Sequence, residues 1–297
     1  MSLYQNICLQ TKIFACRIFS GFLKGFLNMN STLILNGLKL CHAHKRLFSV
    51  FQKHISEFGI EPPPFTVINP VLLDIEESKI NIPDDISIPK FIQENEDQYF
   101  HKPNIYDKDE IEGTRLAASI ANRCVRLAPE ILQPGSTTLK LNDVLHQEIL
   151  SKGAYPSILG FQNFPKSIST NVNNIACHGI PDDRPLEDGD IVSVDVNVFK
   201  DGFHGICGSS IIVGQCQNDP LVRYIKTVSE ELLFRGISAC KGGGLFLDIG
   251  AEISKFSRKR HVKVLPELSG HGIGKYLHET PEIFHVINDY PGLLKPG

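Results

Sequence analysis

No Asp or Glu precedes Glu57, although Lys12, Arg17, Lys24, Lys39, Lys45, Arg46 and Lys53 all fall in that stretch. Phe14, Phe19, Phe22, Phe26 and Leu27 interleave with these charges at roughly helical spacing. A basic, acid-free, amphipathic start has the composition of an organelle transit peptide. It predicts a leader over 1–55 and a destination in mitochondria or another organelle that takes a basic transit peptide, with the cytoplasm as the alternative. Long apolar runs are also missing. Arg17 and Lys24 interrupt each one before it could span a bilayer, which excludes a membrane-spanning helix. The eight cysteines form no Cys-x-x-Cys pair, so the chain is not a secreted disulfide framework and its thiols are expected reduced. Neither a short fixed repeat nor a low-complexity tract is present. The formal charge of −3 and pI near 6.4 leave no electrostatic footprint for nucleic acid or an anionic membrane.

What remains is ordinary globular material. At 297 residues and 42% hydrophobic, the chain can bury one large core or two. From Ile60 to Tyr106 it turns acidic and Pro-rich, predicting an extended strap over 56–106 without helix or central strand. The main domain is expected over 107–297. Asp107 or Asp109 can cap a helix to about Leu127, with Ile111, Leu116, Ile120, Cys124 and Leu127 on one stripe. A second helix, capped by Ser or Thr, ends at Gly153. Short strands are expected at Ser157 to Leu159 and Ser167 to Val172. Ile191 to Phe199 alternates strictly, and Asp201-Gly202 is a tight-turn signal that brings His204 to Val213 back as a hairpin. Helices over Pro220 to Cys240 and Leu245 to Lys259 flank the Gly242-Gly243-Gly244 breaker.

The chemistry concentrates on a few residues. Asp195 sits in mid-strand, where a carboxylate is disfavoured and costly to desolvate unless it is paired. Its face also carries Ser193 and Asn197, opposite a wall of valines. A two-residue turn pairs Asn197 with Ile206, so Ile206 lies diagonal to Asp195 within about 8 Å, where a partner ligand would stand. His271 lies between glycines, which let the backbone approach whatever the ring binds. His178 sits in a Gly-Pro turn, and His278 follows seven residues after His271. Each histidine alone reads as a satisfied core or surface residue. Together with Asp195 they outline a carboxylate/imidazole metal site.

The runs CHGIPDDRPLEDGDIVSVDV and GHGIGKYLHETP, with FPKSISTNVN upstream, closely resemble type I methionine aminopeptidases of the organellar kind. The resemblance covers about Tyr106 to Gly297. It implies an α/β (α+β) pita-bread fold: an antiparallel curved sheet with flanking helices and a pseudo-two-fold. It also implies two divalent ions (Co, Mn, Fe or Zn) that activate water to remove the initiator Met. The partners implied are nascent polypeptide N-termini and an organellar ribosome, with the enzyme a monomer. Asp195 and His271 match metal ligands. His178 and His278 match the catalytic histidines that contact substrate, and Phe161, Phe164 and Leu277 match the methionine pocket, whose apolar walls suit a thioether. Ser169 stands where many relatives have Cys. Two departures matter more. The family's His-Gly-Asp run reads His204-Gly205-Ile206, placing an aliphatic side chain at the second carboxylate. The chain as written also stops at Lys295-Pro296-Gly297, before the strands that carry the family's Glu ligands. The expectation is at most one weak ion site and impaired Met removal. The alternatives are a non-catalytic peptide-binding relative, or a metal-free hydrolase with His178 as base.

Overall fold

The computed structural model describes residues 7–8, 66, 68, 82–94, 104–214 and 220–297. The predicted leader therefore lies outside the described residues except at β1 (Ile7–Cys8). Within the Pro-rich strap the expectation of no helix is corrected. Pro89 is followed by a short helix, α1 (Lys90–Glu94), whose first turn closes through Ile92 N–H donating to Pro89 O at 3.1 Å. Proline fixes φ at a helical value and its missing N–H is harmless at a helix start, so it initiates here instead of breaking.

α2 (Lys108–Ile131) begins at Asp107, which caps it in a reciprocal box: Glu110 N–H donates to Asp107 Oδ1 at 2.9 Å and Asp107 N–H to Glu110 Oε2 at 3.0 Å. The helix runs past the expected end at Leu127, through Pro129 in its last turn, to Ile131. Its buried stripe is built of Ala117, Ile120, Ala121, Cys124, Val125 and Ala128, whereas Leu116, expected inside, is 46% exposed. The reason is proximity to the sheet. A Cβ on Gly205 would stand 2.1 Å from the Ala118 nitrogen, so only small side chains fit beneath α2. α3 (Thr138–Ser151) is capped by Thr137 and buries Leu141, Leu145 and Ile149 at four-residue spacing.

The first sheet has β4 (Ile191–Lys200) at its centre. β5 (Phe203–Ile212) pairs along one side of it; β2 (Tyr155–Pro156) and β3 (Ile168–Val172) share the other, all antiparallel. The strand expected at Ser157 to Leu159 thus lies two residues earlier, and Ser157 N–H makes a last bond to β4, donating to Asn197 O at 2.8 Å, before the chain turns. Asp201 (φ +49°) and Gly202 (φ +91°) form the two-residue hairpin turn and set Asn197 opposite Ile206. Val192, Val194, Val196 and Val198 are buried under α2 and α3, while Ser193, Asp195 and Asn197 take the other face.

A second helix–helix–strand succession follows, as a pseudo-two-fold requires. α4 (Pro220–Ala239) and α5 (Phe246–Lys259) precede β6 (Ser269–Gly272) and β7 (Glu279–Phe284), with β6 paired to β7 and to β1. This half has a core of its own around Leu232, Ile249, Ile253 and Ile283. Apart from Thr66, the described residues belong to one compact unit. Among the described residues no helix is long and apolar enough to cross a membrane.

Candidate active site

The polar face of β4 holds Asp195 almost wholly buried, at 8% exposure. Gly208 lies directly opposite it, and a Cβ there would meet Asp195 Oδ1 at 2.8 Å; the glycine is what leaves the carboxylate room. Asn171, on β3, donates from Nδ2 to Asp195 Oδ2 at 3.1 Å and accepts Gly179 N–H on Oδ1 at 2.9 Å. Gly179 O in turn accepts from Thr170 N–H at 3.0 Å and Ser169 Oγ at 3.2 Å. Asn171 therefore ties Asp195 to the turn that carries His178. That histidine has φ +54°, a conformation that costs an L-residue about 1–2 kcal/mol. The neighbouring Gly179 is packed so tightly on Thr170 O that no Cβ could enter.

The other wall comes from β6 and the loop after it. The His271 and His278 rings meet edge to face, with centroids 4.4 Å apart. His271 Nδ1 is 2.8 Å from Gly272 O; a carbonyl only accepts, so Nδ1 carries the hydrogen and Nε2 keeps its lone pair. Burial lowers the pKa of His271, and it pushes His278 down to about 3 with help from His271 and His178, so both rings are neutral at pH 7. Glu279, beside His278, turns away from the rings. It accepts from Tyr106 Oη at 2.5 Å, Asn104 Nδ2 at 3.2 Å and Tyr276 N–H at 3.0 Å, which makes it a structural carboxylate. Burial, and then this bond, raises the Tyr106 pKa.

A cavity of about 340 Å³ opens beside these imidazoles, walled by Phe91, Phe161, Phe199, Phe203, Leu277 and His278. Phe161 and Leu277 are where the sequence places a methionine pocket. Phe164, expected in the same pocket, does not line this cavity. It closes the turn below Phe161, its N–H donating to Phe161 O at 2.9 Å. His204 is a wall residue the sequence reading did not single out. It is buried, shares a 2.9 Å hydrogen bond with Ser157 Oγ, and burial pushes it down to about 3. Phe91 and Asn171 were likewise missed. Alternation along β3 is the signal that could have put Asn171 on the face of Asp195, but Phe91 lies in a segment with no periodicity.

The donors suit metal chemistry only in part. Asp195 offers hard oxygen and His271 a free imidazole nitrogen, but Ile206 supplies nothing at the diagonal position. The described residues contain no group of three or more His, Cys, Asp or Glu side chains able to share an ion. A divalent ion needs more ligands than that, so a two-ion centre does not fit the described residues by themselves.

Comparison with known proteins gives a consistent answer. The profile of metallopeptidase family M24 matches residues 112–297. The chain is 39% identical over 193 residues to a mitochondrial methionine aminopeptidase 1D of Dictyostelium discoideum, covering 65% of this chain and 47% of that protein. It is 34% identical to the mitochondrial methionine aminopeptidase 1D of Danio rerio, covering 89% of this chain and 77% of the relative. The crystal structure of methionine aminopeptidase from Rickettsia prowazekii superposes with a TM-score of 0.61 at 34% identity, covering 65% of this chain and 77% of that one. The architecture is the pita-bread fold expected from the sequence. The chain spans about half the length of several curated relatives that it matches.

Proposed function

Because the chain belongs to metallopeptidase family M24 and, within it, to the methionine aminopeptidases, we propose that its cleft receives the N-terminal methionine of nascent polypeptides for removal. The observation that carries this is the aromatic cavity ending on His278. Rings on several sides suit a flexible thioether, which makes favourable sulfur–aromatic contacts. In this reading Phe161 and Leu277 hold the methionine side chain. His178 and His278, both imidazoles at the cleft, contact the peptide and steady the carbonyl being cleaved. A neutral His278 ring serves that role by donating its one N–H. Asp195 and His271 are the side chains that would face a divalent ion of the Co, Mn, Fe or Zn class. The mitochondrial relatives and the basic start support a leader over 1–55, a connecting strap over 56–106, a catalytic domain over 107–297 and action in mitochondria on newly made chains, as a monomer near the ribosome.

Ile206 supports a finer proposal: the peptide-binding half of the activity is kept and hydrolysis is weakened, because the diagonal position opposite Asp195 has no donor. The same residue favours a second reading, a peptide-binding relative without turnover. One experiment separates them. Binding of Met-Ala-Ser is measured by calorimetry on the full chain. Its hydrolysis is then followed with Co²⁺ or Mn²⁺, for the native sequence and for Ile206→Asp. An increase of about tenfold or more in hydrolysis by Ile206→Asp supports an impaired aminopeptidase. Binding without hydrolysis in both proteins leaves the binding module. Absence of binding in both refutes the methionine cleft.

A further inference from the structure

Phe91 reaches the cavity from α1, in the segment upstream of α2, which is seated by apolar contacts. Ile82, Ile86, Ile88 and Ile92 pack the segment onto Tyr155, Leu159, Phe199 and Leu150. Ile92 sits over the turn before Phe161, its Cδ1 3.1 Å from where a Gly160 Cβ would be. This apolar seating delivers the Phe91 ring edge-on to Phe161, with centroids 5.1 Å apart at 80°. The same ring lies over His204, at 5.9 Å and 21°. Phe161 in turn leans on His278 at 5.3 Å. A continuous file of rings therefore runs from the strap to the imidazoles, and Phe91 forms part of the cavity wall.

We infer that Phe91 is a specificity-determining residue: its ring sets the depth of the side-chain cavity and so selects methionine over bulkier first residues. The inference rests on the methionine reading above. Removing the ring would add most of a phenyl group's volume to a cavity of about 340 Å³, on the side that Phe91 lines. A small difference in an apolar pocket changes discrimination substantially, about 10- to 200-fold for one methylene.

The test uses the full chain and its variants Phe91→Ala, Phe91→Leu and Phe91→Trp. Calorimetry measures Kd for Met-Ala-Ser, Leu-Ala-Ser and Phe-Ala-Ser. Phe91→Ala is expected to shift the Met/Phe preference toward Phe by about tenfold or more, with Phe91→Leu between it and the native chain. An unchanged order, or an equal weakening for every peptide, overturns the inference while leaving the methionine reading intact. A native chain that binds none of the three overturns the methionine reading and this inference with it. Should Phe91→Ala not fold, Phe91→Leu supplies the same ratio. Phe91→Trp adds a readout that needs no peptide, since the chain has no tryptophan of its own. Its emission is expected to be blue-shifted, as for a ring against Phe161 and His204. Emission matching a solvated indole overturns the placement of Phe91.

Discussion

Replacing Gly205 with alanine tests the contact between α2 and β5, on which the whole first half depends. The new Cβ would fall 2.1 Å from the Ala118 nitrogen, 2.5 Å from the Ala117 carbonyl carbon and 2.6 Å from the Ala118 Cα. All three are backbone atoms, so no side chain can rotate aside and the helix itself must lift. Lifting strips dispersion contacts from Ala117, Ala121, Cys124 and the valines of β4, which are packed at interior density. Overpacking of this kind costs about 1–3 kcal/mol and sometimes more; a clash with backbone belongs at the top of that range. Alanine also narrows the unfolded ensemble, which recovers only about 0.4–1 kcal/mol. A net loss a little above ~2 kcal/mol would lower Tm by roughly 4–10 °C in a domain of this size. Gly242→Ala is the matched control. Its Cβ would meet nothing nearer than Pro296 at 3.8 Å, and its effect should be neutral or slightly stabilising. Thermal and urea unfolding of both variants decides the matter. A Gly205→Ala protein as stable as Gly242→Ala would refute the close-packed helix.

Two further perturbations probe buried polar groups. His285 is 2% exposed, and its Nε2 finds no hydrogen-bond partner among the described residues. Burial pushes its pKa down from 6.5 to about 4. The unfolded chain therefore takes up a proton that the folded chain refuses. The contribution is intact above pH 6.5, falls as pH drops from 6.5 to about 4, and amounts to about 3 kcal/mol in all. His285→Leu should flatten the acid limb of the stability curve by that amount, and an unchanged slope would sink the argument. Asp190, also buried, accepts from Arg184 Nη2 at 3.0 Å, Asn173 Nδ2 at 2.7 Å and Glu187 N–H at 3.0 Å. Arg184→Met strands this carboxylate and should cost about 3 kcal/mol. Asp190→Asn should cost less, because the freed Arg184 can turn to water. The reverse order in denaturant midpoints would show that the pair is not organised around Asp190.

Local rules accounted for much of this molecule. The Asp201-Gly202 turn fixed the register of a ten-residue hairpin, so the placement of Ile206 diagonal to Asp195 followed from alternation alone. Asp107 and Thr137 announced their helices, because a cap acts within three residues. The misses share one cause, dependence on what lies across the chain. Leu116 is outside because Gly205 brings β5 too near for it, which helical periodicity cannot register. Phe164 and Phe161 are alike in composition, and only the short turn between them decides which ring enters the cavity. Phe91 was hidden in a Pro-rich run because its position is set by apolar seating on Phe199 and Leu159, more than a hundred residues downstream in the case of Phe199. The role of Glu279 is likewise set from afar, since Tyr106 and Asn104, far upstream, donate to its oxygens.

The β4 strand serves two constituencies at alternate positions. Its even-numbered valines hold the helices, while Ser193, Asp195, Asn197 and Phe199 face the cleft. A substitution scan along these ten residues should therefore sort by parity. Soluble yield would follow even positions, and peptide recognition odd ones. Any drift of the cleft chemistry along β4 can proceed on one parity without disturbing the other. A chain can thus revise its chemistry while its scaffold stays fixed.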